Sequence, residues 1–159
     1  MLTLEAADAM ANAALSEAVR MDFNDISVAV MDLSGRVLVS KTQTGCPRLI
    51  PTIALGKAGA AIGTHSSSRS IKEKYIPERT PQLLAMTTAG FANTQPFCAV
   101  PGGVLCRDST TGDVIGAVGV SGASADEDEH CAIVGARAGG FSTEPEKSAL
   151  DQIHFVFYK

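Results

Sequence analysis

The segment that most constrains the fold is a glycine-containing run of strand-forming residues in the second half of the chain. It reads Val-Ile-Gly-Ala-Val-Gly-Val-Ser over Val114–Ser121. Valine and isoleucine favour a strand, whereas glycine inside a strand usually marks a place where a ligand, a helix or another backbone comes close. A further strand-forming run, Gly103–Asp108, precedes it across a turn at Ser109–Gly112. The two runs predict a β-hairpin whose second strand lies close to a ligand, a helix or another backbone.

A similar pair of runs lies earlier in the chain. Ile26–Asp32 and Arg36–Ser40 flank a short turn over residues 33–35. Gly35 supplies the positive φ that such a turn requires. These runs predict another β-hairpin.

Apolar residues at helical spacing predict helices before, between and after the two hairpins. Thr3 is the expected cap of the first helix, Thr80 caps a short helix, and Ser124 forms a capping box with Glu127. The predicted helices run over residues 4–20, 48–64 and 70–76, from residue 80 onwards, and over 124–138. Residues 89–101, which are rich in Gly and Pro, are predicted to form an extended loop.

This order of elements predicts an α+β fold, in which helices cover an antiparallel sheet. A length of 159 residues suits a single domain that spans residues 1–159. The tail, Phe141–Lys159, is harder to assign, because Gln152–Tyr158 fits a terminal strand and an interface segment equally well. The chain has 23 Ala and 15 Gly but no Trp, so its core consists of small side chains. We therefore expect subunit contacts to complete the burial, which predicts a homo-oligomer.

Charge and hydropathy exclude several classes of protein. Charged residues make up 19% of the chain and the net charge is −4, which argues against a disordered chain and against a basic nucleic-acid-binding protein. No apolar run approaches the roughly 18–20 residues that a membrane span needs. The first twenty residues lack the pattern of a secretory signal. Cys46, Cys98, Cys106 and Cys131 form no CxxC pair, and we expect reduced thiols in a cytoplasmic protein.

Lys57 is the most unusual residue of the second predicted helix. It lies in the apolar stripe of that helix, four residues after Ile53 and one before Ala58. Lysine is rarely buried without a partner. Two interpretations stay open: Lys57 reaches into a pocket and holds a carboxylate or propionate, or it snorkels to water.

The loop from Pro96 to Gly103 is a second candidate site. Gly102 and Gly103 offer backbone N–H groups that can line a pocket or bind an anion. Phe97 is one of few aromatic residues and could stack on a flat ligand. Cys98 lies in the same loop, where a structural thiol is the simpler interpretation.

The turn Asp126–Glu129 concentrates acidic residues where the helix dipole favours them. His130 and Cys131 follow it, but Asp128, His130 and Cys131 cannot converge on one helical face. We therefore predict solvated acids and one core cysteine rather than a metal site. Asp128 and His130 remain candidate ligand-binding residues.

Several of these segments together resemble a known family. The resemblance is carried by the run that begins at Pro101, by the strand that ends in Ser121-Gly122, and by the acidic turn after it. It extends upstream to the segment Val28–Gly35 and to the helix that carries Lys57, and covers roughly residues 2–140. The chain resembles the GlcG/HbpS-like haem-binding family, to which the C-terminal domain of some corrinoid adenosyltransferases also belongs. The matching positions are Lys57, Gly102, Gly103, Gly116, Gly119, Gly122 and Asp128.

The resemblance implies a three-layer α/β/α domain with a central antiparallel sheet, profilin-like in outline, and an oligomer. It also implies a small-molecule binding protein, with haem or another planar anionic ligand as the expected ligand. The ligand would lie between the Lys57 helix and residues 101–103. The alternative is an enzyme that acts on a small aromatic or carboxylic acid in a catabolic pathway, with Lys57, His130 or Cys98 as acid, base or nucleophile. The tail after Phe141 departs from the usual ending of the family.

Overall fold

The computed structural model describes residues 1–152 and shows a five-stranded antiparallel sheet with helices on both faces. The strands lie in the order β2-β1-β4-β3-β5. Both predicted hairpins are present, and their inner strands β1 and β4 pair with each other. In chain order the elements are α1 (Leu4–Arg20), β1 (Ser27–Asp32), β2 (Val37–Thr42), α2 (Ile50–Thr64), α3 (Ser68–Tyr75), α4 (Thr80–Ala92), β3 (Gly103–Arg107), β4 (Val114–Ser121), α5 (Ala125–Ala138) and β5 (Ser142–Glu144).

The sheet divides the core into two layers because successive side chains of a strand point to opposite faces. Val28 and Val30 of β1 pack on the face that α1 and α5 cover, together with Val118 of β4. Met31 and Ala117 pack on the opposite face, against α2. The predicted α+β class and the three-layer arrangement are therefore confirmed.

The surroundings of Gly119 show why strand β4 contains glycine. A Cβ atom at this position would lie 2.0 Å from the Ala54 carbonyl oxygen and 2.6 Å from the Ala58 nitrogen. The backbone of α2 therefore rests directly on β4, and any side chain here would push the helix away. The element predicted to approach this strand closely is a helix of the same chain.

Several local predictions need correction. The second predicted helix starts at Ile50 rather than residue 48, and the third begins at Ser68, with Ser67 as its cap. Thr80 is the first residue of α4 rather than its cap, which is Arg79. Helix α4 continues to Ala92, so the prediction of an extended loop is wrong for residues 89–92 and holds only beyond them.

The chain after α5 was not predicted in detail. Strand β5 pairs with β3 at the edge of the sheet, and residues 149–152 form a helical turn. The predicted strand Gln152–Tyr158 lies outside the described residues, apart from Gln152. No helix within residues 1–152 has the length and apolar character needed to cross a membrane.

Candidate functional site

Lys57 and Asp128 form a buried ion pair. Lys57 is 2% exposed and Asp128 is 1% exposed. The Lys57 Nζ atom lies 2.7 Å from Asp128 Oδ2, and Asp128 Oδ1 accepts a hydrogen bond from the backbone N–H of Ala123 at 3.0 Å. Burial raises the pKa of the Asp128 carboxyl, while the Lys57 ammonium opposes that shift. The interpretation in which Lys57 snorkels to water is therefore wrong: its ammonium joins α2 to the first turn of α5.

Gly102 and Gly103 lie directly against Lys57. Gly102 has a φ of +125°, and a Cβ atom there would lie 2.9 Å from Lys57 Nζ. A Cβ atom at Gly103 would lie 2.2 Å from the Lys57 carbonyl oxygen, and the Gly103 N–H donates to Ser68 Oγ at 2.8 Å. The structure thus brings Lys57, Gly102, Gly103 and Asp128 together in close packing. Where a ligand was predicted between the Lys57 helix and residues 101–103, α2 packs directly against the two glycines, and the carboxylate that Lys57 holds is that of Asp128.

Glu129 belongs to a neighbouring buried cluster that the sequence did not reveal. It is fully buried, and its Oε2 accepts a hydrogen bond from Arg69 Nε at 2.8 Å. The other side of the Arg69 guanidinium contacts Asp126. The expectation that the acidic turn is solvated is wrong for Asp128 and Glu129, because each is buried against a cation from another helix. Their spacing in the sequence could have indicated this burial, because Asp128 lies four residues and Glu129 three residues before Ala132, on the buried face of α5.

His130 faces a different part of the protein from Lys57. Its Nε2 atom lies 2.7 Å from Glu17 Oε1 of α1, and its Nδ1 atom lies 3.2 Å from Ser148 Oγ of the C-terminal segment. The Phe23 ring packs against it edge to face. His130 is therefore held between α1 and the end of the described chain.

Phe97 and Cys98 line an apolar groove of about 350 Å³ between α2 and the segment that follows α4. We call it the Phe97 groove. Its volume lies in the range of small-molecule sites. The other apolar side chains along it are Leu49, Ile53, Phe91 and Pro96.

Two glycines of α2 allow the wall of the Phe97 groove to form. A Cβ atom at Gly56 would lie 2.9 Å from Cys98 Cβ, and one at Gly59 would lie 2.1 Å from the Pro96 carbonyl oxygen. The Cys98 N–H also donates to the Gly56 carbonyl oxygen at 2.8 Å. These two glycines therefore let α2 pack closely against residues 96–98.

The thiols differ in burial, and all four are free. Burial raises the pKa of Cys98, which Lys57 partly opposes. Burial also raises the pKa of Cys106 and of Cys131 to about 12. Within the described part of the chain, no group of three or more His, Cys, Asp or Glu side chains could hold a metal ion.

Comparison with solved structures places this fold among known proteins. Klebsiella pneumoniae protein ORFY is 25% identical, with a TM-score of 0.73, and the match covers 87% of this chain and 90% of that chain. A double mutant of Streptomyces reticuli HbpS is 27% identical, with a TM-score of 0.68 and coverage of 86% and 85%. A complex of PduOC with haem is 18% identical, with a TM-score of 0.74 and coverage of 88% and 96%, and this likeness shows the fold.

The sequence itself matches one family model. Among proteins with curated descriptions, none matches the chain. The model described as "Haem degrading protein HbpS-like" matches residues 2–137, which include the Lys57–Asp128 pair and the whole Phe97 groove. The chain therefore belongs to the HbpS-like family of haem degrading proteins.

Proposed function

We propose that this protein binds haem, or another flat and largely apolar ligand with anionic groups, in the Phe97 groove. The observation that carries the proposal is the apolar lining of the groove, which includes the rings of Phe91 and Phe97. Flat apolar ligands bind in concave sites of this kind and volume. Membership of a family described as haem degrading supports haem as the first ligand to test. PduOC, whose fold is similar, is itself described as a haem complex.

The residues of the groove fit such a ligand. The Phe97 and Phe91 side chains offer apolar surface to a flat ring. Cys98 offers a sulfur atom that would ligate haem iron as the thiolate, with its proton released on binding. The lining residues carry no charge, so the carboxylates of the ligand would lie at the mouth of the groove. Arg48, which is exposed and directly precedes Leu49, is a suitable partner for them. When bound, haem would supply the redox chemistry of its iron.

The buried ion pair has a supporting role in this proposal. Lys57 lies one residue after Gly56, so a fixed Lys57 also fixes the part of α2 that contacts Cys98. Gly102 and Gly103 extend this packing to the end of the loop. We assign Lys57, Asp128, Gly102 and Gly103 to positioning the wall of the groove, whereas Phe97 contacts the ligand.

The experiment is a titration of the purified protein with hemin, followed by the Soret absorbance. The wild type should show a saturable Soret shift. Thr52 is exposed and lines the groove, so Thr52→Trp should fill the groove and abolish saturable binding. Leu4→Trp places the same ring on α1, on the other side of the sheet, and is the matched control.

Absence of a saturable shift in the wild type would refute haem as the ligand. A Thr52→Trp variant that binds like the wild type and like Leu4→Trp would refute the site. Cys98→Ser tests the sulfur separately: a changed Soret position indicates that Cys98 is an iron ligand, and an unchanged position assigns the ligand elsewhere.

No specific observation favours the enzymatic alternative. Lys57 is engaged with Asp128, and His130 is engaged with Glu17 and Ser148. Burial raises the pKa of Cys98, which opposes formation of a nucleophilic thiolate at neutral pH.

A homo-oligomer remains a prediction, supported by apolar side chains at the surface. Leu84 and Phe91 of α4 are 62% and 72% exposed, and Leu49 beside the groove is 63% exposed. Large exposed apolar side chains clustered on one side of a protein usually mark an interaction surface. Light scattering after size-exclusion chromatography checks this, because a mass near 16.5 kDa would refute the oligomer.

A further inference from the structure

The end of the described chain crosses the edge of the sheet. Residues 141–152, here called the C-terminal strap, begin after α5 and lie beyond residue 137, where the family match ends. Strand β5 of the strap pairs with β3 in the register Leu105↔Glu144, Cys106↔Thr143 and Arg107↔Ser142. An ion pair of 2.6 Å between Arg107 Nη2 and Glu144 Oε2 supports this pairing.

The strap covers an edge that would otherwise be open. Strand β3 pairs with β4 on one side and with β5 on the other side, and β5 is the last strand of the sheet within residues 1–152. An uncovered edge presents unpaired N–H and C=O groups to other chains. Because β5 has only three residues, its own pairing with β3 is a weak cover.

A second contact holds the strap at Ser148, beyond the end of β5. His130 lies between Glu17 of α1 and Ser148 of the strap, at 2.7 Å and 3.2 Å. One neutral tautomer satisfies both contacts: Nε2–H donates to the Glu17 carboxylate, and Nδ1 accepts from the Ser148 hydroxyl. The imidazole therefore links the strap to α1 through α5.

Ser148 also organises the strap internally. It is fully buried, and its Oγ accepts a hydrogen bond from the Asp151 N–H at 3.2 Å. Asp151 Oδ2 in turn accepts from the Ser148 N–H at 3.3 Å. Ser148 thus caps the helical turn at residues 149–152 and anchors that turn on His130.

We propose that the C-terminal strap is a displaceable cover of the β3 edge and that the contact between Ser148 and His130 is its fastener. Loss of the fastener opens the strap as a unit, from the helical turn back to β5. The rest of the sheet keeps its pairing, because β1, β3 and β4 do not depend on the strap for their contacts with each other.

Hydrogen exchange of the full-length protein, read by mass spectrometry of its peptides, tests the proposal. Ser148→Ala removes the fastener and the cap together. Loss of a serine cap costs ~1 kcal/mol, which corresponds to about fivefold faster local opening. We expect this acceleration in peptides from the strap and, in parallel, in the peptide that contains β3. His130→Phe keeps a ring but removes the contacts of both nitrogens, including the 3.8 Å approach of Nδ1 to Asp151 Oδ1 in the strap, and should act in the same way. Lys147→Ala changes an exposed strap residue and is the control.

The pattern of hydrogen exchange across the variants distinguishes the proposal from its alternatives. Parallel acceleration of the strap and β3 in Ser148→Ala and His130→Phe, with β1, β4 and the Lys147→Ala control at the wild-type rate, supports the proposal. Unchanged strap exchange in both variants overturns the fastener. Faster exchange of the strap without β3 overturns its role as a cover, and uniform acceleration across the whole chain overturns the strap as a separable unit.

Discussion

Removal of the Lys57 ammonium is the strongest test of the buried ion pair. Lys57→Met keeps most of the apolar stem but leaves the Asp128 carboxylate without its cation. Both side chains are 2% exposed, so water cannot replace the lost partner. Breaking a buried pair by removal of one partner costs roughly 3–5 kcal/mol. That is a large share of the ~5–15 kcal/mol that stabilises a typical domain.

The loss should depend on pH, because the variant can relieve the stranded charge by binding a proton. Burial already raises the pKa of Asp128, and removal of Lys57 takes away the main effect that opposes this shift. A carboxyl whose pKa is higher in the folded than in the unfolded state binds more protons when folded. Its folded state therefore loses stability as pH rises above the unfolded value of about 3.8. The defect of Lys57→Met should be larger near neutral pH than near pH 4.

Urea unfolding provides the assay, with unchanged slope as the check that folding stays two-state. The double variant Lys57→Met with Asp128→Asn removes both charges and keeps an oxygen for the Ala123 N–H, so it should recover most of the stability. A loss below about 1 kcal/mol for Lys57→Met, the range of an exposed pair, would refute the reasoning. So would a double variant that is as unstable as the single one, or a loss that does not change with pH.

Two further predictions concern α1 and the packing glycines. The Arg20 guanidinium and His130 lower the pKa of Glu17 from 4.5 to about 2. The ionised Glu17 therefore stabilises the fold above about pH 4.5, and this stabilisation is lost as pH falls towards 2. In thermal unfolding, Glu17→Gln should show a smaller loss of stability in acid than the wild type, and an equal loss would contradict this role of Glu17. Gly119→Ala should destabilise the fold severely, because its Cβ would lie 2.0 Å from the Ala54 carbonyl oxygen. In the same urea assay, Gly63→Ala should leave the free energy of unfolding unchanged or raise it by up to ~1 kcal/mol, because nothing lies within 4 Å of its Cβ and alanine favours a helix. Similar losses of stability in Gly119→Ala and Gly63→Ala would be inconsistent with this packing.

The sequence determined those features that depend on neighbouring residues. The alternation of valine around Gly119 predicted β4, and Ser124 with Glu127 predicted the start of α5 through a capping box that the structure contains. These signals are local, since a strand, a turn and a helix cap are each decided within a few residues. The order of such elements was sufficient for the α+β class.

Tertiary structure alone decided which side chains meet. Lys57 and Asp128 are 71 positions apart, and Arg69 and Glu129 are 60 apart. Periodicity shows that Lys57 faces the core, but not whether a ligand, water or a carboxylate compensates its charge. The same holds for the groove, because Phe97 and Cys98 acquire a common wall only when α2 packs against the segment after α4. A strand as short as β5 also has almost no signal of its own: it forms because the edge of β3 is there to pair with it.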